Sequence, residues 1–365
     1  TLERYPQSAG DLMAWDAADE YLLAYCAEEL DLGGRRILIA DDNFGALSCA
    51  LSNLNVTAIH YSACAISSAE GNLAANHLDP VNTLDWLDIP TGRVFDTVLM
   101  RMPKSVDLLK DHCQRLRPHV SNEAILICAA MDKYLSRSML EALSSNFGAT
   151  HTTLGRKKAR LAVSRFDPAL PAAPLSPSSY SAEPADIRLL NYPGVFSANQ
   201  LDIGSRFFLQ QFAAIPIAQA RRIADLACGN GVLGLAAGKI NKSAGITFFD
   251  DSSIAIQSAR ESAQANFQDR SRFVFQHQDG MAGSTPESFD LILCNPPFHS
   301  GAQQDTSIAR RLFRQARQAL RPGGELWVVG NRHLRYDVAL QKQFGDATIV
   351  AANRKFVIIR CTKKS

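Results

Sequence analysis

Asn295-Pro296-Pro297-Phe298 follows directly on the apolar run Leu291-Ile292-Leu293-Cys294, with His299 next. Two consecutive prolines forbid both a continued β-ladder and an ordinary helix, so the chain must leave the strand as a rigid extended turn. Within four residues that turn offers the Asn295 side-chain oxygen, the Pro296 carbonyl and the aromatic face of Phe298. Two acceptors and a flat surface suit an amino group on a planar ring, whose two hydrogens they can take and whose face they can stack on. His299 is the nearest candidate base, although a proton leaving such an amine can also pass to solvent.

A group of this kind works only if the turn sits at the carboxyl end of a sheet strand, where open α/β sheets bind ligands. Upstream, Arg222 to Leu226 reads as a strand, and Ala227-Cys228-Gly229-Asn230-Gly231 as a tight turn leading into a helix from Val232. Gly229 to Gly234 fits the G-x-G-x-x-G pattern, which also occurs in dinucleotide-binding enzymes. Asp225 argues against that ligand, because a carboxylate four residues before the first glycine repels a pyrophosphate but suits the ammonium of S-adenosylmethionine. Alanine at 227 is expected to keep a negative φ, since a positive one is costly for any residue with a Cβ.

The next strand, Gly245 to Phe249, ends at Asp250-Asp251, about 20 residues beyond the glycines, where an acid can bind ribose hydroxyls. Ser252 or Ser253 can also cap the helix predicted from Ile254 to Phe267. A third strand, Arg272 to His277, leads to Asp279, placed to accept from an adenine amino group. Glycine turn, ribose acid, adenine acid and Asn-Pro-Pro-Phe thus follow successive strands of one doubly wound α/β sheet. Together they predict a Rossmann-like methyltransferase site with S-adenosylmethionine as cofactor and no metal.

At 365 residues and 46% hydrophobic content the chain can bury two cores. No run reaches the roughly 18 apolar residues of a membrane span, and no signal-peptide pattern opens the sequence. The eight cysteines lack any C-x-x-C pair, which predicts reduced thiols, a cytoplasmic location and no zinc. Between 167 and 186, Pro168, Pro171, Pro174, Pro177 and Pro184 stand among Ala and Ser, a composition that predicts a linker without helix or sheet. Domains are therefore expected at 1–166 and 187–365. The first carries 16 Lys and Arg against 20 Asp and Glu (−4); the remainder, from 167, carries 22 against 16 (+6), together the net +2 of the whole chain. A basic half hints at an anionic partner.

The first half also reads as a worn copy of the second. With Gly45 laid on Gly231, Ile39 replaces Asp225 and Asn43 replaces Gly229. Phe95 to Lys104 mirrors Phe289 to Phe298, with Arg101 for Asn295 and Lys104 for Phe298, and His60 stands where Asp250 should be. Ala75-Asn76 echoes Ala265-Asn266. The sheet pattern survives while every chemical residue has changed, as expected of a copy that kept its fold and lost cofactor and catalysis.

With these motifs in place the chain resembles the ribosomal RNA guanine-N2 methyltransferases, which pair a degenerate N-terminal methyltransferase-like domain with an active C-terminal one. The resemblance extends to Pro193-Gly194-Val195-Phe196-Ser197, Leu201-Asp202-Ile203-Gly204-Ser205 and Asn331-Arg332-His333-Leu334. It implies two tandem class I methyltransferase domains and a loop from Phe196 to Gly204 that closes over cofactor and target base. Cofactor contacts are then implied at Phe196, Gly204, Asp225, Ala227, Gly229, Asn230, Gly231, Asp250, Asp251, Asp279 and Asn295, with Asn295, Pro296, Pro297 and Phe298 at the reacting amine. Trp15 to Leu23, Phe44 to Leu51 and Lys157 to Leu161 are similar to the large-subunit branch of that family, which implies 23S rRNA, naked or partly assembled, as substrate without an obligatory protein partner.

Candidate phosphate contacts are Arg101 and Lys104, the basic run holding Lys157 and Lys158, and Arg310, Arg314 and Arg317, which share one side of a helix at i, i+4, i+7 spacing. Four other readings remain open at this stage: a 16S rRNA guanine-N2 enzyme, an adenine-N6 or glutamine-N5 methyltransferase using the same Asn-Pro-Pro-aromatic device, an RNA-binding protein with a fossil cofactor site, and a nicotinamide-dependent oxidoreductase. The last leaves Asn-Pro-Pro-Phe unexplained.

Overall fold

Central strands of uninterrupted apolar residues, too short for helices, force a parallel sheet buried on both faces. The computed structural model describes residues 1–7, 12–173, 176–297 and 302–364, with 302–305 as backbone only. The chain divides into two compact units, Thr1–Ser176 and Pro177–Ser365.

The first unit contains α1 (Ala17–Glu29), β1 (Ile37–Ala40), α2 (Ala46–Ala50), β2 (Val56–His60), α3 (Ala63–Ala75), β3 (Asn82–Asp85), β4 (Phe95–Arg101), α4 (Val106–Leu116), β5 (Val120–Met131), α5 (Arg137–Asn146), β6 (Thr150–Thr152) and β7 (Ala159–Arg165). The second contains β8 (Ser178–Ala182), β9 (Ile187–Asn191), α6 (Ile203–Leu209), β10 (Arg222–Leu226), α7 (Val232–Ile240), β11 (Gly245–Asp250), α8 (Ser253–Asn266), β12 (Phe273–His277), β13 (Phe289–Cys294), α9 (Ala302–Ala319), β14 (Leu320–Asn331), α10 (Tyr336–Phe344), β15 (Thr348–Ala352) and β16 (Phe356–Thr362).

The two seven-stranded sheets have the same strand order, β3-β2-β1-β4-β5-β7-β6 and β12-β11-β10-β13-β14-β16-β15. In each, the last two strands of the order run antiparallel to a parallel core. Neighbouring residues alternate between layers: Ile223, Leu291 and Leu293 join one core cluster of the second unit, while Ala224, Ile292 and Cys294 join the other. The two-residue period of a strand thus covers both faces of the sheet.

Duplication reaches below topology. Gly45 and Gly231 both adopt positive φ (78° and 83°), and a Cβ on either would press on the partner helix, at Ala69 and Ala259 respectively. Asn76 exchanges hydrogen bonds with the backbone of Thr1, and Asn266 does the same with Arg188. Each asparagine fastens an incoming segment to the helix that follows the second strand.

Two expectations from sequence need correction. The proline-rich stretch is not without sheet, because Ser178–Ala182 forms β8, antiparallel to β9. Pro177 and Pro184 lie just outside this strand, where their missing N–H groups cost the ladder nothing; Pro174 falls outside the described residues. Ala227 has φ +58°, and its counterpart Asp41 has +59°. The turn demands a left-handed residue there in both units, and the surrounding strand and helix impose it on side chains that resist it.

All eight cysteines are buried free thiols. Among the described residues no helix is long and apolar enough to cross a membrane, and no group of three or more His, Cys, Asp or Glu could hold a metal ion.

Candidate active site

Strand β13 delivers Asn295 to the carboxyl edge of the second sheet, beside the first turn of α6. Asp202 caps that helix, its Oδ2 accepting from the Ser205 backbone N–H at 2.9 Å. The Asn295 amide donates from Nδ2 to Ser205 Oγ at 2.9 Å and to Asp202 Oδ2 at 3.3 Å. Its Oδ1 is buried and accepts no hydrogen bond among the described residues. An acceptor left so costs about 1–3 kcal/mol, a cost that a donor from outside the chain would remove. Gly204 is required between the two partners, since a Cβ there would come within 2.9 Å of Asp202 Oδ2 and 3.2 Å of the Phe356 ring. Pro296 is buried and Pro297 exposed, while Phe298 and His299 lie outside the described residues.

The turn after β10 forms an open cradle. Gly229 and Gly231 are left-handed (54° and 83°), and a Cβ on Gly229 would meet nothing within 4 Å, so the backbone can be approached closely there. Asp250 at the end of β11 clamps the turn, accepting from Gly229 N at 2.9 Å and from Ser252 N at 2.9 Å. Ser252, not Ser253, caps α8. Burial pushes the Asp250 carboxyl up to about 6. Asp225 is 1% exposed and accepts from Gly234 N in α7 at 2.7 Å; burial, with the nearby Asp250 charge adding to it, pushes its carboxyl up to about 8. Two buried acids side by side are poorly matched by the backbone amides alone, and a cationic ligand would complete the balance. These features fit S-adenosylmethionine: a cleared backbone turn, an acid at the second strand end, and an electrostatic deficit of positive charge.

Other sequence-derived residues have different surroundings from those expected. Asn230 is 4% exposed and turns away from the cradle, donating to Asn191 Oδ1 at 2.8 Å and to the Tyr180 hydroxyl at 3.2 Å. It clasps the β8–β9 hairpin to the glycine turn and is withdrawn as a side-chain cofactor contact. Asp279 is 7% exposed and is paired with Arg311 of α9 at 3.0 Å, so it is not an uncommitted acceptor. Asp251 accepts from or pairs through its backbone carbonyl with His277 Nε2 at 2.9 Å. Phe196 is 41% exposed at the start of the loop leading to α6. Asp202 and Ser205 as partners of Asn295 were missed; the only sequence signal was their place in Leu201 to Ser205, beside an asparagine some 90 residues away.

The first unit repeats this arrangement with different chemistry. Arg101 stands at the end of β4 as Asn295 stands at the end of β13, and it reaches the equivalent cap residues. Its guanidinium meets Asp16 through two 2.9 Å bonds and Asp19 at 3.0 Å. His60, in the place of Asp250, is 1% exposed with neither ring nitrogen bonded, and burial lowers its pKa to about 4, leaving it neutral. Trp86 fills the space beside β3, stacked on His112 at 4.0 Å and donating to Asp41 at 3.0 Å.

Arg101 is therefore withdrawn as a phosphate contact, because two carboxylates already match its half-hidden charge. Lys157 is paired with Glu20 at 2.8 Å and its neighbour Arg156 with Glu28 at 2.9 Å. Lys158 and Lys104 are exposed. On α9, Arg310, Arg314 and Arg317 are all exposed and make no ion pair among the described residues.

Comparison with known proteins follows the same division. Residues 186–360 match the family model described as methyltransferase small domain, and residues 1–168 match the RLMG N-terminal domain. The chain is 41% identical over 377 residues to the ribosomal RNA large subunit methyltransferase G of Streptomyces griseus, covering 100% of this chain and 97% of that one. It is 40% identical over 368 residues to the protein of that name from Aliivibrio fischeri, covering 99% and 95%. Among solved structures, the T. thermophilus 16S rRNA N2 G1207 methyltransferase in complex with AdoMet and guanosine superposes with a TM-score of 0.79 at 23% identity, covering 96% of this chain and 92% of that one. At that identity the likeness establishes the two-unit fold.

Proposed function

The chain belongs to the ribosomal RNA large subunit methyltransferase G family, and on that footing we propose that it methylates the exocyclic N2 amine of a guanine in 23S rRNA, using S-adenosylmethionine. One observation supports the choice of an amine above all: the Asn295 Oδ1, buried and unbonded at the strand end, with its amide nitrogen already committed to Ser205 and Asp202.

When bound, S-adenosylmethionine supplies an activated methyl group. Gly229 and Gly231 would admit it to the backbone turn, Asp250 would take its ribose hydroxyls, and Asp225 with Asp250 would balance its positive charge. A guanine N2 amine is a poor nucleophile because its lone pair is delocalised into the ring. Asn295 Oδ1 and the Pro296 carbonyl accept its two hydrogens, which favours a pyramidal nitrogen with a localised lone pair. Phe298 stacks on the flipped base, contributing roughly 1–3 kcal/mol. Holding the amine in one orientation provides much of the remaining rate enhancement, and the proton is released to solvent. The exposed arginines of α9 are the α-helical phosphate contacts in this reading.

A base inside a duplex cannot reach the Asn295 turn, so the substrate is naked or partly assembled 23S rRNA. The test is to incubate the full chain and labelled S-adenosylmethionine separately with naked 23S rRNA, naked 16S rRNA, DNA and assembled subunits, then identify the modified nucleoside. Label as N2-methylguanosine in 23S rRNA alone is expected. Label in 16S rRNA would move the substrate to the small subunit, and label in DNA or protein would remove the reading.

A further inference from the structure

The two units provide an internal comparison of the surface around their equivalent strand ends. In the first, the backbone N–H of Asp132, just past β5, donates to the carbonyl of Lys158, just before β7. In the second, Arg332, just past β14, donates in the same way to Lys355, just before β16. The opening pairs of the two ladders, Met131 with Ala159 and Asn331 with Phe356, fix the register. Lys157 therefore corresponds to Arg354, and Lys158 to Lys355. On the adjoining helices, the fourth residue after the caps Asp16 and Asp202 is Glu20 in one unit and Arg206 in the other.

At these four positions the first unit has Glu20, Asp132, Lys157 and Lys158, two acids and two bases that cancel. Glu20 pairs with Lys157 at 2.8 Å, and Asp132 with Arg160 at 3.0 Å. The second unit has Arg206, Arg332, Arg354 and Lys355, all cationic and all exposed, and none makes an ion pair among the described residues. The only anchors are neutral: Arg332 donates to the Asn353 carbonyl, and Asn353 Oδ1 accepts from the Lys355 and Phe356 amides, which shapes the turn. His333 lies exposed in the same rim.

This rim adjoins the reacting group. Phe356 lies against Gly204, between the two residues that hold the Asn295 amide. Four cations held near one another repel, and a fold that kept the same backbone neutral in its other copy had an alternative. An unmatched cluster at the edge of a site implies a polyanion bound across it.

We propose that Arg206, Arg332, Arg354 and Lys355 form the phosphate-binding rim that grips the RNA backbone on either side of the flipped guanine. This rests on the rRNA reading above and adds the surface that delivers the base. Single-stranded backbone next to an extruded base presents closely spaced phosphates, and each one neutralised releases counterions, lowering the salt slope of binding by about 0.7.

The experiment compares the full chain with two variants, Arg206→Gln/Arg332→Gln/Arg354→Gln/Lys355→Gln and Lys157→Gln/Lys158→Gln. Binding of naked 23S rRNA is titrated across salt concentrations, steady-state methylation gives KM and kcat, and calorimetry with S-adenosylmethionine alone checks the cofactor site. The fourfold variant is expected to lose roughly 2–3 units of salt slope. Its KM for RNA should rise by about tenfold or more, with kcat and cofactor affinity within roughly twofold of the parent. The Lys157/Lys158 variant should keep the parent slope and KM. An unchanged slope in the fourfold variant, or equal losses in both variants, would overturn the proposal. If the fourfold variant loses cofactor binding, Arg354→Gln alone decides, with an expected fall in slope of about 0.7. Failure of the rRNA reading is separate: the parent chain would then not label 23S rRNA at all.

Discussion

Asn295 Nδ2 donates to Ser205 Oγ at 2.9 Å, and that bond fixes which end of the amide is left to face a substrate. Rotation of the amide would put two donors where an amine needs acceptors. Asn295→Ala should lower the methylation rate by a hundredfold to a thousandfold, about 3–4 kcal/mol, if Oδ1 acts as oxyanion-hole groups do. Single-turnover assays check this, and S-adenosylmethionine affinity by calorimetry should hold. Ser205→Ala should cost less, about tenfold in rate, because Asp202 can still accept from the amide. Near-normal single-turnover rates in Asn295→Ala would end the role given to Oδ1.

The left-handed alanine is a local strain that the sequence could relieve. Ala227→Gly removes a cost of about 1–2 kcal/mol in the folded turn and adds up to about 1 kcal/mol of unfolded-chain entropy. A net gain of about 0.5 kcal/mol is expected in the denaturant midpoint. Gly231→Ala should go the other way by more than about 1 kcal/mol, because positive φ is joined there by a 3.0 Å approach to Ala259 Cβ.

Cofactor affinity should depend on pH. Burial raises the Asp225 carboxyl to about 8 and the Asp250 carboxyl to about 6, both from an ordinary 3.8. The folded chain then keeps protons that the unfolded chain loses near pH 4. Stability without cofactor is therefore greatest at the acid end and falls as pH rises through about 6 and on to about 8. A cationic ligand reverses this locally, because it binds the ionised acids. S-adenosylmethionine should bind about tenfold tighter at pH 8 than at pH 6, with proton release. Calorimetry in two buffers of different ionisation enthalpy measures the released protons, and a pH-independent constant without release would contradict the arrangement.

In the first unit Arg101 should matter for stability and not for RNA. Arg101→Ala leaves Asp19, 7% exposed, facing Asp16 without its cation. Loss of about 2 kcal/mol is expected, below the usual range for a buried pair because the Asp16 side chain is 46% exposed. Urea unfolding measures the loss, and the salt slope of 23S rRNA binding should be unchanged. A lowered slope would restore Arg101 as a phosphate contact.

The sequence alone carried the fold, its duplication and the position of the reacting turn. Those features are written locally: apolar runs of strand length, glycines at a tight turn, and two prolines after Cys294 act within a few residues of themselves. Partner choice was decided only by tertiary structure. Asp202 and Ser205 meet Asn295 across 93 and 90 residues, Arg101 meets Asp16 across 85, and Asp279 pairs with an arginine on α9 that nothing in its own segment announces. Asn230 looked like a cradle residue because its neighbours are, yet a hairpin from 39 residues earlier claimed its side chain. Backbone conformation follows from short-range sterics and propensity, whereas a side-chain hydrogen bond or ion pair depends on which distant element the completed sheet brings alongside.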